Sequence, residues 1–180
     1  MDVADKMAKL LVRLYWVFCC VIFCGCMLIL ADALFPWSLE RYPRLWPWLA
    51  EHAGREDQTE SLFIAIGNSA HRKRAFHFLT NQLMRSDLDF YEMHGCVRGL
   101  VATAHPGLTN AFVDKLVSLA EKAREEGRQD VNVLQLAWAL QTLSETNLGL
   151  AQDPYTTQGE AAGFSNYYGV FQAVQSIYGR

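Results

Sequence analysis

Histidine, cysteine and carboxylate side chains are where chemistry could sit, and their spacing decides what they can do. The five histidines are His52, His71, His77, His94 and His105. None has the His-x-x-x-His spacing that presents two metal ligands on one helix face. In Glu92-x-His94 the two side chains point to different faces of a helix. His52 and Asp57 have an acyltransferase-type spacing, but the polar connector around them offers no strand scaffold. There is no Gly-x-Ser-x-Gly elbow and no phosphate-cradling glycine loop. Gly67–Asn68–Ser69 falls in a helical pattern and does not follow a strand.

Four of the five cysteines, Cys19, Cys20, Cys24 and Cys26, lie in one apolar run. On a helix Cys19 and Cys26 fall on one side and Cys20 and Cys24 on another. One helix therefore cannot converge them on a tetrahedral metal. They read as small polarizable packing residues, with lipidation or sulfur pairing between copies as alternatives. Cys96 stands alone downstream, so it has no disulfide partner within the domain. It reads as a buried thiol, with a nucleophile beside His94 or His105 as the alternative. The sequence thus assigns no catalytic residue, no cofactor and no metal ligand.

Two stretches suit recognition better than catalysis. His71–Arg72–Lys73–Arg74, with His77 close behind, winds cations around a helix. It is a solvated face, a kinked helix junction, or a contact for a phosphate or an acidic partner. The C-terminal segment carries Phe164, Tyr167, Tyr168, Phe171 and Tyr178. Gly163 and Gly169 make it a poor isolated helix, so it packs in the core or against a partner. The candidate partner-binding residues are therefore His71, Arg72, Lys73, Arg74, His77, Phe164, Tyr167, Tyr168 and Phe171.

The elements that position these residues start from the run Leu14 to Ala31, eighteen residues without charge or proline. A surface helix shows polar residues every third or fourth position. Hydrocarbon instead demands continuity, because a charge at its centre costs about 2.5–3.5 kcal/mol. The run predicts a membrane-spanning helix over residues 14–35. Tyr15 and Trp16 mark one end, and Trp37, Tyr42, Trp46 and Trp48 mark the other, as amphipathic rings do at headgroup level. From Trp16 to Trp37 a helix rises roughly 31 Å, close to the ~30 Å of a bilayer core. A cleaved signal peptide fits less well, since the run is long and Asp32–Ala33–Leu34 is a poor site. A lipoprotein site at Cys26 has bulky residues before it and an apolar continuation after it.

The formal net charge of −3 gives no general attraction to nucleic acid or to anionic lipid. Three cations precede the span (Lys6, Lys9, Arg13) and three follow (Arg41, Arg44, Arg55). The first set is closer in, which favours an internal N-terminus and an external domain.

Past the span, Pro36, Pro43 and Pro47 interrupt any single helix. Arg41 and Arg44 can snorkel there, and residues 36–57 read as an interfacial elbow and linker. Residues 1–13 are a short flank, and residues 58–180 a soluble helical domain. Its first pattern runs as one long helix from a capping-box-like Asp57–Glu60 to Met84. A second follows a Ser86 cap to Ala104, and His105–Pro106–Gly107 ends it. Thr109 to Glu126 is amphipathic, with Lys115 on its polar side and Gly127 as the C′ residue. Val133 to Asn147 returns as its antiparallel partner. A last helical segment starts at a Thr157–Glu160 capping-box spacing. Strand signals are nearly absent. The fold class is all-α: one transmembrane helix and a bundle of about five helices.

The function expected is a single-pass membrane subunit that presents its helical domain to other proteins of a larger complex, or to a second copy. Partners are the bilayer and those proteins, with no nucleic acid. A bacterial inner-membrane secretion or conjugation machine is the expected home on general grounds and not from any residue. The alternatives are a tethered enzyme acting on lipid or envelope substrates and an exclusion or sensor protein. A pocket holding two titratable groups within hydrogen-bond reach would favour the enzyme.

Overall fold

The computed structural model describes residues 39–53 and 56–179. The predicted span over residues 14–35, with Tyr15 and Trp16, lies outside the described residues, as does Trp37. Among the described residues no helix is long and apolar enough to cross a membrane. The chain divides into two units, Met1–Arg41 and Tyr42–Arg180. Of the first, residues 39–41 are described, and they are helical.

The second unit is all-helical among the described residues. A 3-10 turn at Pro43–Leu45 leads into α1 (Trp46–His52). Then come α2 (Glu56–Gly67), α3 (Arg72–Leu83), α4 (Phe90–Thr103) and α5 (Leu108–Glu125). The chain closes with α6 (Val131–Ser144), α7 (Thr157–Ser165) and α8 (Tyr167–Tyr178). Among the described residues the all-α reading therefore holds, with seven helices from Glu56 onward where about five were expected.

Each of the two extra breaks is closed by its own hydrogen bonds. The expected helix to Met84 stops at Gly67 and restarts at Arg72. Asn68 Nδ2 donates to Ile64 O at 2.9 Å, and Ser69 N donates to Ile66 O at 3.1 Å, so the turn satisfies its own carbonyls. The C-terminal segment breaks at Asn166, whose side chain donates to Gly149 O at 3.1 Å.

Caps also move. The cap of α4 is Asp89 and not Ser86: its Oδ1 accepts from Glu92 N at 2.7 Å, and the Glu92 carboxylate accepts from Asp89 N at 3.3 Å. Asp87 pairs instead with Arg85 through two 3.0 Å hydrogen bonds. The cap of α7 is Thr156, one residue before the expected position, and it accepts from Gly159 N at 3.0 Å. Gly127 does sit at C′ of α5, with φ +66°. Gly127 N bonds Arg124 O and Arg128 N bonds Ala123 O, the paired closure of a Schellman turn.

Lys115 is a further correction, since it lies inside and not on the polar side of α5. It is 5% exposed, and its Nζ donates to Arg85 O at 2.6 Å. Burial holds its ammonium below the usual lysine range, against the pull of Asp130.

The core runs through the bundle, where α4 packs against both α2 and α6. Phe63, Ile66, Leu79, Leu100, Phe112, Leu116, Leu134 and Leu136 are all fully buried in it. Each such side chain stabilises by roughly 1.5–3 kcal/mol relative to exposure. The α5–α6 pair packs together as expected from its short connection.

The tightest junction is α2 on α4. A Cβ at Gly67 would stand 2.0 Å from Gly99 O. One at Gly99 would stand 2.4 Å from Phe63 O, and one at Gly95 would stand 2.7 Å from Glu60 Cα. Helix backbones touch here, and only glycine permits it.

Gly99→Ala gives a prediction of sign. Helix propensity alone would make alanine more stable by up to about 1 kcal/mol. The clash with Phe63 O reverses this to a loss of about 1–3 kcal/mol. Urea denaturation of the full chain in detergent checks it, and a variant as stable as the parent would contradict the crossing.

Candidate functional site

A groove of about 590 Å³ runs between α2, α4, α6 and the 145–156 connection. Its walls include Ile64 of α2, Val97 and Val101 of α4, and Trp138, Ala139 and Leu143 of α6. Val101 and Leu143 remain 37% and 39% exposed. Large aliphatic side chains left open beside a Trp make a floor without a cover.

Polar groups enter from one end. His94 lines the groove, and its Nδ1 lies 2.8 Å from Glu60 Oε1. Burial lowers the imidazole below its usual range, outweighing Glu60, which raises it. The contact is then a neutral ring N–H donating to a carboxylate. Tyr155 covers the ring, with centroids 3.7 Å apart. The Tyr155 phenol donates to Gln135 Oε1 at 3.4 Å, and burial pushes its ionisation up. Gln135 is fully buried, lines the groove, and its Nε2 has no hydrogen-bond partner. A buried amide N–H left unpaired costs about 1–3 kcal/mol. Arg98 and Asp153 complete this end.

The connection forming one wall is pinned by Gln141 of α6. Gln141 Nε2 donates to Leu150 O at 2.7 Å, and its Oε1 accepts from Leu148 N at 2.9 Å and Leu150 N at 3.3 Å. Asp153 Oδ1 accepts from Tyr155 N at 2.9 Å and sets the turn that presents Tyr155.

Glu60 and His94 were not singled out together by sequence reasoning, because they sit on different helices. The signal that brings them together is glycine: Gly95, next to His94, meets the backbone of Glu60. The pair meets the distance asked of an acid–base site, but only His94 of the two lines the groove. Cys96 is fully buried, and burial drives its thiol far above the usual range, which removes it as a nucleophile. His52 Nδ1 bonds Trp48 O at 2.9 Å, and the side chain of Asp57 lies outside the described residues. Among the described residues no group of three or more His, Cys, Asp or Glu converges as a metal site would require.

The basic turn lies elsewhere. His71 precedes α3, and Arg72, Lys73 and Arg74 fill its first turn, all exposed, with His77 exposed one turn on. Cations there oppose the helix dipole, and no side chain caps the end.

The C-terminal aromatics divide. Tyr167 and Phe171 are buried, with Tyr167 Oη accepting from Asp130 N at 3.3 Å, while Tyr168 is 59% exposed. Phe164 is half-buried. Of the interfacial rings, Trp46 is 1% exposed and packed against His71 and Phe78, whereas Tyr42 and Trp48 stay outside.

No protein-family model, curated protein or solved structure matches this chain.

His94 predicts how stability follows pH. Folded, the ring holds its proton less tightly than in the unfolded chain, where it titrates near 6.5. The unfolded state therefore binds more protons as pH falls below about 6.5, and stability declines there, by at most about 1.4 kcal/mol per pH unit for this one group. His94→Gln should flatten the acid limb of a melting-temperature profile between neutral and mildly acidic pH. An unchanged slope would contradict the buried neutral ring.

Proposed function

We propose that the chain is a single-pass membrane-anchored helical protein whose groove docks a polypeptide segment of a partner in a larger membrane complex. The observation that carries this reading is the uncovered floor at Val101, Trp138 and Leu143, ending at the unpaired Gln135 amide. A partner segment suits both parts. An apolar side chain lies on the floor, and a partner carbonyl accepts from Gln135 Nε2 once that fully buried amide turns toward the groove. The anchor rests on the uncharged run of residues 14–31. Membership of a bacterial secretion or conjugation machine, in the inner membrane with the N-terminus inside, remains part of this proposal and awaits partner identification.

The buried positions of Tyr167 and Phe171 move the expected partner surface away from most of the C-terminal segment. Tyr168 is the ring of that group most available to a partner.

The Glu60–His94 contact favours a second reading, a tethered enzyme in which Glu60 orients the imidazole as an acid–base group. It ranks second because the carboxylate is not part of the groove lining and Tyr155 covers the ring.

A photo-crosslinking residue at Val101 should give a discrete adduct in membranes of the native host, and one at Glu121, exposed on α5, should not. Leu143→Glu should remove the Val101 adduct while leaving the melting temperature within the usual range of surface changes, about ±0.5 kcal/mol. Adducts equally strong from both positions would sink the docking role. Turnover of an ester or glycoside reporter that His94→Gln abolishes would promote the enzyme reading.

A further inference from the structure

The elbow and the basic turn, separate in sequence, meet in the fold. Trp46 joins them. Its ring is buried against His71, with centroids 6.5 Å apart, and against Phe78 at 5.9 Å. Tyr42, Leu45 and Trp48 are 47%, 46% and 55% exposed. Tyr42 and Leu45 eclipse across the 3-10 turn, closed by Leu45 N to Tyr42 O at 2.9 Å, and Trp48 follows. Arg44 is exposed between them. Directly after His71, which Trp46 touches, come Arg72, Lys73 and Arg74, all exposed.

We infer that Tyr42, Leu45 and Trp48, together with Arg44, Arg72, Lys73 and Arg74, form one lipid-facing surface that seats on anionic headgroup phosphates. Three features choose a membrane as the occupant. The first is composition: exposed amphipathic rings beside arginines match the headgroup level of a bilayer, where rings stay shallow and guanidinium groups reach phosphate. The second is charge. A chain of net charge −3 gathers four permanent cations here. Glu51, the acid of α1, lines a different depression with Gln82, Arg85 and Glu92. The third is position along the chain. The uncharged run ends at Ala31, and its apolar extension at Phe35, seven residues before Tyr42.

The cations of α3 also gain from this arrangement. They occupy a first turn whose dipole opposes them, and headgroup phosphates would offset that repulsion while accepting from the free first-turn N–H groups. The groove lies on other residues, so this surface sets the orientation of the domain without occupying its partner site. The inference rests on the membrane reading of residues 14–35 and extends it from an anchor to a seated domain.

Hydrogen exchange on the full chain in nanodiscs tests it. First-turn amides exchange readily unless something covers them. Peptides spanning 71–77 should exchange about ten-fold more slowly in discs of phosphatidylcholine mixed with phosphatidylglycerol than in phosphatidylcholine alone. High salt should erase the difference, and so should the triple variant Arg72→Gln, Lys73→Gln and Arg74→Gln. Peptides from α4 serve as the folding control and should not change. Trp48→Gln should weaken protection of peptides spanning 42–48 in both lipids. Equal exchange in the two lipids overturns the inference. So does equal protection when inorganic phosphate is added to phosphatidylcholine discs, which would show an ion site and not a lipid one. A chain that stays monodisperse without detergent and never enters discs removes the anchor itself, a different failure from a disc-bound chain indifferent to headgroup charge.

Discussion

The structure depends on one backbone contact. Where α2 crosses α4, Gly67, Gly95 and Gly99 leave no side chain between the helices, and carbonyl oxygens stand where Cβ atoms would be. Close-packed interiors do not absorb an extra carbon at such a point. The crossing brings Glu60 to His94 and Ile64 to Val97, so one end of the groove exists because two helices touch without intermediaries. It also ends α2 at Gly67 and releases the chain into the turn that carries the basic cluster.

Around that crossing, the polar interior is held by a small number of specific bonds. The Lys115 ammonium is spent on a carbonyl thirty residues away and fixes the connection between α3 and α4. Arg85 bonds Asp87 and approaches Glu92 at 3.7 Å, so the same connection is braced from both sides. Among the described residues four buried side chains keep an unpaired polar atom, Ser69, Thr80, Asn132 and Gln135, and of these Gln135 lines the groove. Buried polar atoms are normally satisfied, and the unpaired Gln135 donor lies beside the apolar floor on which the proposed docking role rests.

Much of the architecture was legible in the sequence because it follows from periodicity. The α5 stripe of Phe112, Leu116 and Ala120 is buried as its spacing requires, and Gly127 closes the helix where it should. Helix boundaries failed where a tertiary contact outweighed local pattern. Nothing in the apolar spacing from Leu62 to Leu83 forbids one long helix; the break follows from Gly67 meeting Gly99. The Gly95-x-x-x-Gly99 spacing was the available sign of that contact. Lys115 misled because a long cationic side chain normally reaches water, and here a carbonyl replaced water. Glu60, His94, Gln135 and Tyr155 had no local signature, since each comes from a different segment and only the crossing and the 145–156 connection assemble them. Trp46 read as an interfacial ring alongside Tyr42 and Trp48, and spacing alone could not tell which of the three turns inward.

The Gln141 clamp has a mechanical consequence. One amide side chain holds Leu148 and Leu150 by three bonds, so the connection over the groove is fastened to α6 and must travel with it. The polar end of that connection, Asp153 and Tyr155, then reaches the groove from a segment already braced on α6, facing the glycine-packed pair of α2 and α4.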